Sequence, residues 1–220
     1  MPDEILNRLR RFHNRYFPRL RRQFQGLVDH GQHPTVLFIG CCDSRVVPYL
    51  LMDSGPGELF IVRNVGNFVP PFDASRGYHG TAAAIEFAVL NLGVREIIVC
   101  GHSHCGAIRA LYIEPPAEAR HMAKWLDLGR DAVLPVTLSE EALRRTEQRS
   151  VALQLERLLD YPMVRRRVEN GELYLRGWHY VIEDGKVLVL DVESGQFQPF
   201  DAAAAAAAAD DPLAGVDRLQ

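Results

Sequence analysis

The chain has 220 residues, 47% of them hydrophobic, and is therefore long enough to bury its apolar side chains around one core. Its 25 Lys and Arg residues are outnumbered by 28 Asp and Glu residues, and the formal net charge of -3 argues against a nucleic-acid or anionic-membrane partner. No apolar run approaches the length that crosses a bilayer, and no secretion signal follows Met1, so we expect a cytoplasmic protein, either free or inside a microcompartment, with no membrane partner.

An arginine-rich amphipathic segment comes first. Between residues 4 and 30 the apolar residues recur at three- and four-residue intervals, which predicts one or two helices with a break or a fresh start at Pro18. Seven arginines lie between Arg8 and Arg22. We interpret them as a solvated helix face and not as an anion-binding surface.

Three short apolar runs follow, and they predict buried strands at residues 35–40, 58–62 and 96–100. Between the second and third runs, residues 79–92 predict a well-buried helix that ends at Gly93. Strands that alternate with helices favour the α/β class, with a mainly parallel central sheet flanked by helices.

The C-terminal part predicts a long helix at residues 139–159 with Ser139 as its N-cap. Two β-prone runs, 173–182 and 187–192, flank Asp184-Gly185 and predict an antiparallel hairpin. We therefore expect a single domain over residues 1–200, made of an N-terminal helical arm (1–31) and an α/β core (32–200). The alanine-rich tail, residues 201–220, opens with eight consecutive alanines and is assigned no function.

Three potential metal ligands lie at strand ends. Cys41 ends the first predicted strand, and His102 and Cys105 lie just beyond the third. Because the carboxyl ends of parallel strands share one edge of the sheet, these side chains can meet in space. Two thiolates and an imidazole are a typical zinc set that leaves a fourth position for water. The His-x-x-Cys spacing alone is a weak signal, since such a pair is more often a core histidine and an inert thiol.

The residues around these ligands strengthen the metal interpretation. Asp43 and Arg45 follow Cys41 at alternate positions, which couples a carboxylate and a guanidinium to a candidate ligand. The alternative for this pair is a surface salt bridge. His102 and Cys105 lie in a loop bounded by glycines.

At these residues the sequence closely resembles the beta-class carbonic anhydrases, whose signatures are Cys-x-Asp-x-Arg after the first strand and His-x-x-Cys after the third. The resemblance runs without interruption from Gln32 to Ala110. It includes Arg63-Asn64-Val65-Gly66-Asn67, Pro70-Pro71, Gly80-Thr81-Ala82-Ala83-Ala84-Ile85-Glu86 and, further on, Gly177-Trp178.

The resemblance implies an enzyme, a zinc-dependent lyase that reversibly hydrates carbon dioxide to bicarbonate and a proton by means of a zinc-bound hydroxide. It implies one zinc ion per chain held by Cys41, His102 and Cys105, with Asp43 and Arg45 as a catalytic dyad. It also implies a homodimer as the smallest active unit, with a tetramer or larger assembly allowed and the N-terminal helix lying across the neighbouring protomer.

The resemblance further implies a substrate pocket of the open type. Four residues of this chain match that pocket, and Phe87 stands where those relatives carry Tyr; the matches are Gln32, Phe60, Val65 and Gly106. In the closed type Asp43 is a conditional fourth zinc ligand and bicarbonate binds a noncatalytic pocket of Trp, Arg and Tyr. Arg63 and Tyr180 match this pocket, but Phe38 replaces its Trp and lacks an indole donor.

Other cysteines and histidines are interpreted differently. We expect Cys42 and Cys100 to be small buried residues. His104 is either a proton relay or an exposed loop residue, and His179 has no sequence neighbour that suggests ligation. Two functional alternatives stay open: a carbonyl sulfide or carbon disulfide hydrolase on the same scaffold, and a non-catalytic zinc-binding regulatory protein or thiol redox protein.

Overall fold

A computed structural model of the chain describes residues 2–72, 77 and 79–200. The alanine-rich tail predicted at residues 201–220 lies outside this range. Within the described ranges, no helix combines the length and the apolar character needed to cross a membrane.

The N-terminal arm is helical throughout. Helix α1 (Pro2–Arg11) leads through a wide π-type segment (Phe12–Tyr16) into helix α2 (Phe17–His30). Pro18 lies just after the π-type segment and the chain stays helical through it, so the break or fresh start expected there is replaced by a local widening of the helix. Between residues 3 and 30 no side chain is buried, and several large apolar ones are exposed: Ile5, Leu6, Leu9, Phe12, Tyr16 and Val28.

A six-stranded mixed sheet forms the centre of the protein. The strands are β1 (Val36–Cys41), β2 (Leu59–Asn64), β3 (Glu96–His102), β4 (Tyr174–Val181), β5 (Lys186–Asp191) and β6 (Gln196–Pro199). Their order is β2-β1-β3-β4-β5-β6; the first four strands pair in parallel, and β5 pairs antiparallel with both β4 and β6. The predicted mainly parallel α/β fold is therefore confirmed, and the predicted strand pair at the C-terminus is extended by the short strand β6.

Strands β1 and β3 are buried on both faces, which explains their continuous apolar sequences. In β1, Leu37 and Ile39 contact the main core, while Phe38 packs with Ile98 on the opposite face. Residues next to each other along a strand point to opposite faces, so an uninterrupted apolar run requires cover on both.

The helices of the core cover this sheet. They are α3 (Pro48–Leu51), α4 (Gly80–Glu86, continued by a π-type segment Phe87–Leu92), α5 (Gly106–Ala110), α6 (Arg120–Leu126, continued by a 3₁₀ segment Asp127–Ala132), α7 (Glu140–Leu159) and α8 (Pro162–Glu169). Helix α7 begins as predicted, because Ser139 Oγ accepts the Ala142 N–H at 3.1 Å. Its Val151, Leu155 and Leu158 join the main core.

The strand order creates a crevice at one edge of the sheet. From β1 the chain passes to β2 on one side and then crosses to β3 on the other. The loops that follow β1 and β3 therefore diverge at their carboxyl ends, and such a switch point is where open α/β sheets bind ligands.

Candidate metal centre and active site

Three potential metal ligands meet at this crevice. Cys41 is the last residue of β1, His102 is the last residue of β3, and Cys105 precedes α5. Their ligand atoms all lie within 4.8 Å of one another, and the three residues are at most 6% exposed. The sequence prediction that these side chains converge agrees with this geometry.

The orientation of the His102 ring is set by its own loop. Its Nδ1 lies 2.9 Å from the Ser103 carbonyl oxygen, which can only accept, so Nδ1 carries the proton. The other nitrogen, Nε2, is buried and has no hydrogen-bond partner among the residues described. Neutral histidine thus presents an Nε2 lone pair to the two sulfurs, the arrangement in which metal-bound histidines are normally held.

The two thiols are strongly unequal. A hydrogen bond from Cys105 to Cys41 lowers the pKa of Cys41 to about 4, against the effect of burial, and raises the pKa of Cys105. Cys41 is therefore the more readily ionised of the two thiols. Burial opposes the charged form of His102, yet the Cys41 thiolate, the Ser103 carbonyl and Asp43 together raise its pKa.

Backbone amides also face the Cys41 sulfur. The N–H groups of Asp43 and Gly66 each lie 3.4 Å from Sγ. Gly66 has a φ of 82°, and a Cβ added there would lie 2.7 Å from the Phe68 ring. This turn therefore requires glycine, and the turn aims an amide at the anionic sulfur.

Asp43 lies beside the cluster and is held by Arg45. Arg45 donates from Nε to Oδ1 at 2.9 Å and from Nη2 to Oδ2 at 2.7 Å, and its backbone N–H donates to Oδ1 at 3.0 Å. These bonds hold the pKa of Asp43 well below its usual range, chiefly through the guanidinium. Asp43 Oδ2 lies 3.9 Å from His102 Nε2, and Arg45 also donates to the His104 carbonyl at 3.1 Å.

The expected substrate-pocket residues fall into two groups. Val65 follows β2 beside the turn at Gly66, and Gly106 follows Cys105, so both lie next to the cluster. Phe60 pairs with Leu37 in the sheet, four residues before the Asn64 partner of Cys41, which is about 13 Å along the strands at 3.3 Å per residue.

The remaining two residues of the predicted pocket lie away from the cluster as well. Phe87 stacks on Phe60 with ring centroids 5.8 Å apart. Gln32 lines a groove of about 480 Å³ with Phe24, Leu27, Tyr49 and residues 54–57. Within one chain, then, the structure does not bring Gln32, Phe60 and Phe87 to the candidate metal ligands.

Comparison with known proteins agrees with this site. A family model described as Carbonic anhydrase matches residues 36–187. A carbonic anhydrase of Synechococcus elongatus is 39% identical over 194 residues, covering 84% of this chain and 70% of the relative. The solved structure of the beta-carbonic anhydrase CcaA is 37% identical with a TM-score of 0.84, covering 91% of this chain and 92% of that one. A structure of tetrameric beta-carbonic anhydrases from Sordaria macrospora is 27% identical with a TM-score of 0.66, covering 86% and 93%.

The chain belongs to the beta-carbonic anhydrase family. The resemblance predicted from the two signatures around Cys41 and His102 is thereby confirmed, and the protein is a member of a family of lyases.

The donor set of this beta-carbonic anhydrase fits zinc. Two cysteine sulfurs and an imidazole nitrogen are soft and borderline ligands of the kind that zinc prefers. The buried Nε2 of His102, which no described residue contacts by a hydrogen bond, offers its lone pair where the two sulfurs converge. Three protein donors leave one tetrahedral position for solvent, which is the pattern of catalytic sites.

The residues that stand at the predicted noncatalytic bicarbonate pocket contact the main chain and a neighbouring ring. Arg63 donates from Nε and Nη2 to the Cys41 carbonyl and from Nη2 to the Asp43 carbonyl at 2.7 Å. Phe38 packs edge-on against Trp178, with ring centroids 6.5 Å apart. Arg63 thus braces the loop after β1.

Sequence reasoning missed a buried pair behind Cys105. The Glu147 Oε1 atom accepts the Cys105 N–H at 2.9 Å, and its Oε2 lies 3.1 Å from His179 Nε2. His179 thus has a buried hydrogen-bond partner, while among the described residues it belongs to no group that could hold a metal ion. Neither residue carried a local signal for this pair, because Glu147 is one of several charged residues in the long helix α7 and His179 lies in strand β4 without a ligand motif.

The two other cysteines behave differently from each other. Cys100 is fully buried, as expected, and burial raises the pKa of its thiol to about 12. Cys42 is exposed, which corrects the expectation that it is buried. The reason is that β1 ends at Cys41, so the following residue already belongs to the surface loop.

His104 lies at the surface between two carboxylates. Its ring nitrogens lie 3.5 Å from Glu140 and 3.5 Å from Glu183, and its side chain is 46% exposed. Its φ of 56° places it in the left-handed region, which turns the chain between His102 and Cys105.

Proposed function

We propose that this protein catalyses the reversible hydration of carbon dioxide to bicarbonate and a proton, with one zinc ion held by Cys41, His102 and Cys105. The observation that carries the proposal is the convergence of three buried donor atoms within 4.8 Å, next to a carboxylate held by an arginine. When bound, zinc supplies a water of lowered pKa, which is the nucleophile for the carbon of carbon dioxide.

Asp43 orients this water. The carboxylate is ionised at neutral pH because its pKa is held low, and an ionised carboxylate only accepts hydrogen bonds. Its Oδ2 accepts one bond from Arg45 and keeps a lone pair on the side of His102 Nε2, 3.9 Å away. A water held there by Oδ2 directs its own oxygen lone pair at the substrate.

Arg45 keeps Asp43 in this acceptor role. Its two guanidinium bonds form a bidentate pair, which fixes the plane of the carboxylate and keeps it from turning toward the metal position. The guanidinium also donates to the His104 carbonyl, and this bond ties the loop after β1 to the loop after β3. In this account Asp43 is a conditional fourth ligand only if the Arg45 contact is broken.

A homodimer as the smallest active unit is supported by two features. Phe60 lies about 13 Å along the sheet from Cys41, Phe87 stacks on Phe60, and Gln32 precedes β1, so these residues serve a catalytic site only if they contribute to that of a neighbouring copy. The arm, residues 2–30, exposes apolar side chains that a partner would cover. Assembly into a tetramer, as in the Sordaria macrospora structure, and a cytoplasmic location stay predictions.

The test is a stopped-flow measurement of carbon dioxide hydration on purified protein of determined zinc content, repeated after chelation and zinc restoration. We expect about one zinc per chain and activity that is lost and regained with the metal. Zinc without hydration of carbon dioxide would contradict the proposal. Carbonyl sulfide and carbon disulfide are assayed in parallel, and faster turnover of either would reassign the substrate.

A further inference from the structure

A buried acid and a buried histidine lie one layer behind the proposed metal ligands. Glu147 on α7 is 3% exposed and His179 on β4 is fully buried. Their side chains lie 3.1 Å apart, from Oε2 to Nε2. Because a carboxylate oxygen accepts, His179 is the donor and carries its proton on Nε2.

A buried pair of ionisable side chains is not explained by stability alone. Removing a carboxylate from water is costly, and an apolar pair of similar volume is often at least as stabilising. Ser150 and Gln154 continue the same buried face of α7, so the polar stripe extends away from the cluster. Glu147 differs from these neighbours because its second oxygen reaches the main chain of a proposed ligand.

The segment that Glu147 contacts is the turn that carries Cys105. His104 adopts a left-handed φ of 56°, a conformation that costs a non-glycine residue free energy and needs support from its surroundings. The Ser103 end of the turn is anchored, because its N–H donates to the Tyr180 carbonyl and its Oγ accepts the Ile182 N–H at 2.9 Å. Glu147 anchors the other end through the Cys105 N–H.

We propose that Glu147 is a positioning residue for the metal site: its Oε1 fixes the Cys105 main chain so that the sulfur stays turned toward Cys41 and His102, and His179 holds the carboxylate in place. The proposal rests on the proposed function, since it concerns retention of the metal. Partners behind metal ligands commonly change metal affinity 10- to 100-fold when they are removed.

The experiment measures the rate at which a chromogenic chelator takes zinc from the folded protein. Glu147→Leu removes the acceptor at similar volume, and we expect zinc release about 10- to 100-fold faster than in the wild type. Glu147→Gln keeps an oxygen for the Cys105 N–H, but its amide N–H can donate to His179 Nε2 only if the histidine moves its proton to the buried Nδ1, which has no hydrogen-bond partner among the described residues. We expect it to unfold at lower urea concentration and still to release zinc within about threefold of the wild-type rate, because the metal-facing bond is preserved.

Ser150→Ala is the matched control. Ser150 lies one helical turn along α7 and is 1% exposed, so this change perturbs the same buried face without touching the turn. We expect its zinc release to match the wild type. If Glu147→Leu does not fold, zinc release is measured on Glu147→Asp instead. Its shorter side chain withdraws the carboxylate from the Cys105 N–H, so zinc release should again be faster than in the wild type.

The outcomes separate the two proposals. Wild-type protein that is folded and contains no zinc would overturn the proposed function and this inference with it. Zinc-loaded wild type with unchanged release from Glu147→Leu, or from Glu147→Asp where that variant decides, would overturn only the positioning role. Release from Glu147→Gln as fast as from Glu147→Leu would also overturn it, because the oxygen acceptor would then not be what matters.

Discussion

Replacing Arg45 by alanine tests the division of roles at the site. Arg45→Ala removes both guanidinium bonds to Asp43 and leaves the backbone bond to Oδ1. The Arg45 side chain is 47% exposed, so the loss of the pair should lower the free energy of unfolding by only about 1 kcal/mol. A carboxylate that is no longer held misplaces the attacking water, for which about 100-fold in kcat/KM, or about 2.7 kcal/mol of barrier, is a reasonable magnitude.

The assay combines stopped-flow hydration, zinc analysis and urea unfolding. Arg45 donates to Asp43 and to the His104 carbonyl, neither of which is among the three proposed ligand side chains, so Arg45→Ala should retain its zinc. Cys105→Ala should lose the metal. Arg130→Ala is the control, because Arg130 forms an equally short pair of 2.7 Å with Asp127 at the surface, and both activity and zinc should stay at the wild-type level.

Two results would refute this reasoning. One is Arg45→Ala protein that turns over within about threefold of the wild type, since the held carboxylate would then not be needed. The other is Arg45→Ala protein that folds and loses its zinc while Cys105→Ala keeps it, since ligand and positioning roles would then be reversed.

Three further changes test the turn, the acid-sensitive contacts and the arm. Gly66→Ala should lower the free energy of unfolding by about 1–3 kcal/mol in urea titrations, because φ is 82° there and the added Cβ meets the Phe68 ring; an unchanged value would contradict the need for glycine. The pKa of Glu183 is lowered from 4.5 to about 2, chiefly by the hydrogen bond from the Ser103 hydroxyl and further by backbone and charge contacts. These contacts therefore stabilise the fold above about pH 4.5, and this stabilisation is lost as the pH falls toward 2. Glu183→Gln should thus lose less stability than the wild type between about pH 5 and pH 2, whereas the surface control Glu118→Gln should follow the wild type. Phe12→Arg should shift the proposed homodimer toward monomer in sedimentation experiments, because it puts a charge on the exposed apolar face of the arm. A variant with the same mass as the wild type would show that the exposed arm is not an interface.

Much of the sheet and the cluster was predictable because their signals are local. An uninterrupted apolar run specifies a strand covered on both faces, as for β1 and β3. Cys41 and His102 then meet because parallel strands end at the same edge. The strand order, which puts β1 between β2 and β3, is decided by crossover connections and was not specified by any single run.

Other features depend on tertiary contacts with no local pattern. Strand β6 is four residues long and, of its residues, only Phe197 packs against the core, so its sequence shows no apolar run or alternation that predicts a strand. Glu147 looks like an ordinary solvated residue of a helix, and only the packing of α7 against β4 brings it to His179. The distance of Phe60 from Cys41 follows from strand register, which the apolar pattern leaves open.

Two glycines connect the packing of α7 to the chemistry of the site. A Cβ at Gly101 would lie 2.6 Å from Val151, and one at Gly177 would lie 3.1 Å from Val151 and 3.0 Å from Leu155. Strands β3 and β4 thus present bare backbone to the face of α7 that carries Glu147, and a side chain at either position would push the helix outward. The close approach of α7 is what puts the Glu147 carboxylate within hydrogen-bond distance of the Cys105 amide. If Glu147 has the positioning role proposed for it, the candidate metal site therefore depends on two glycines outside its three ligand residues.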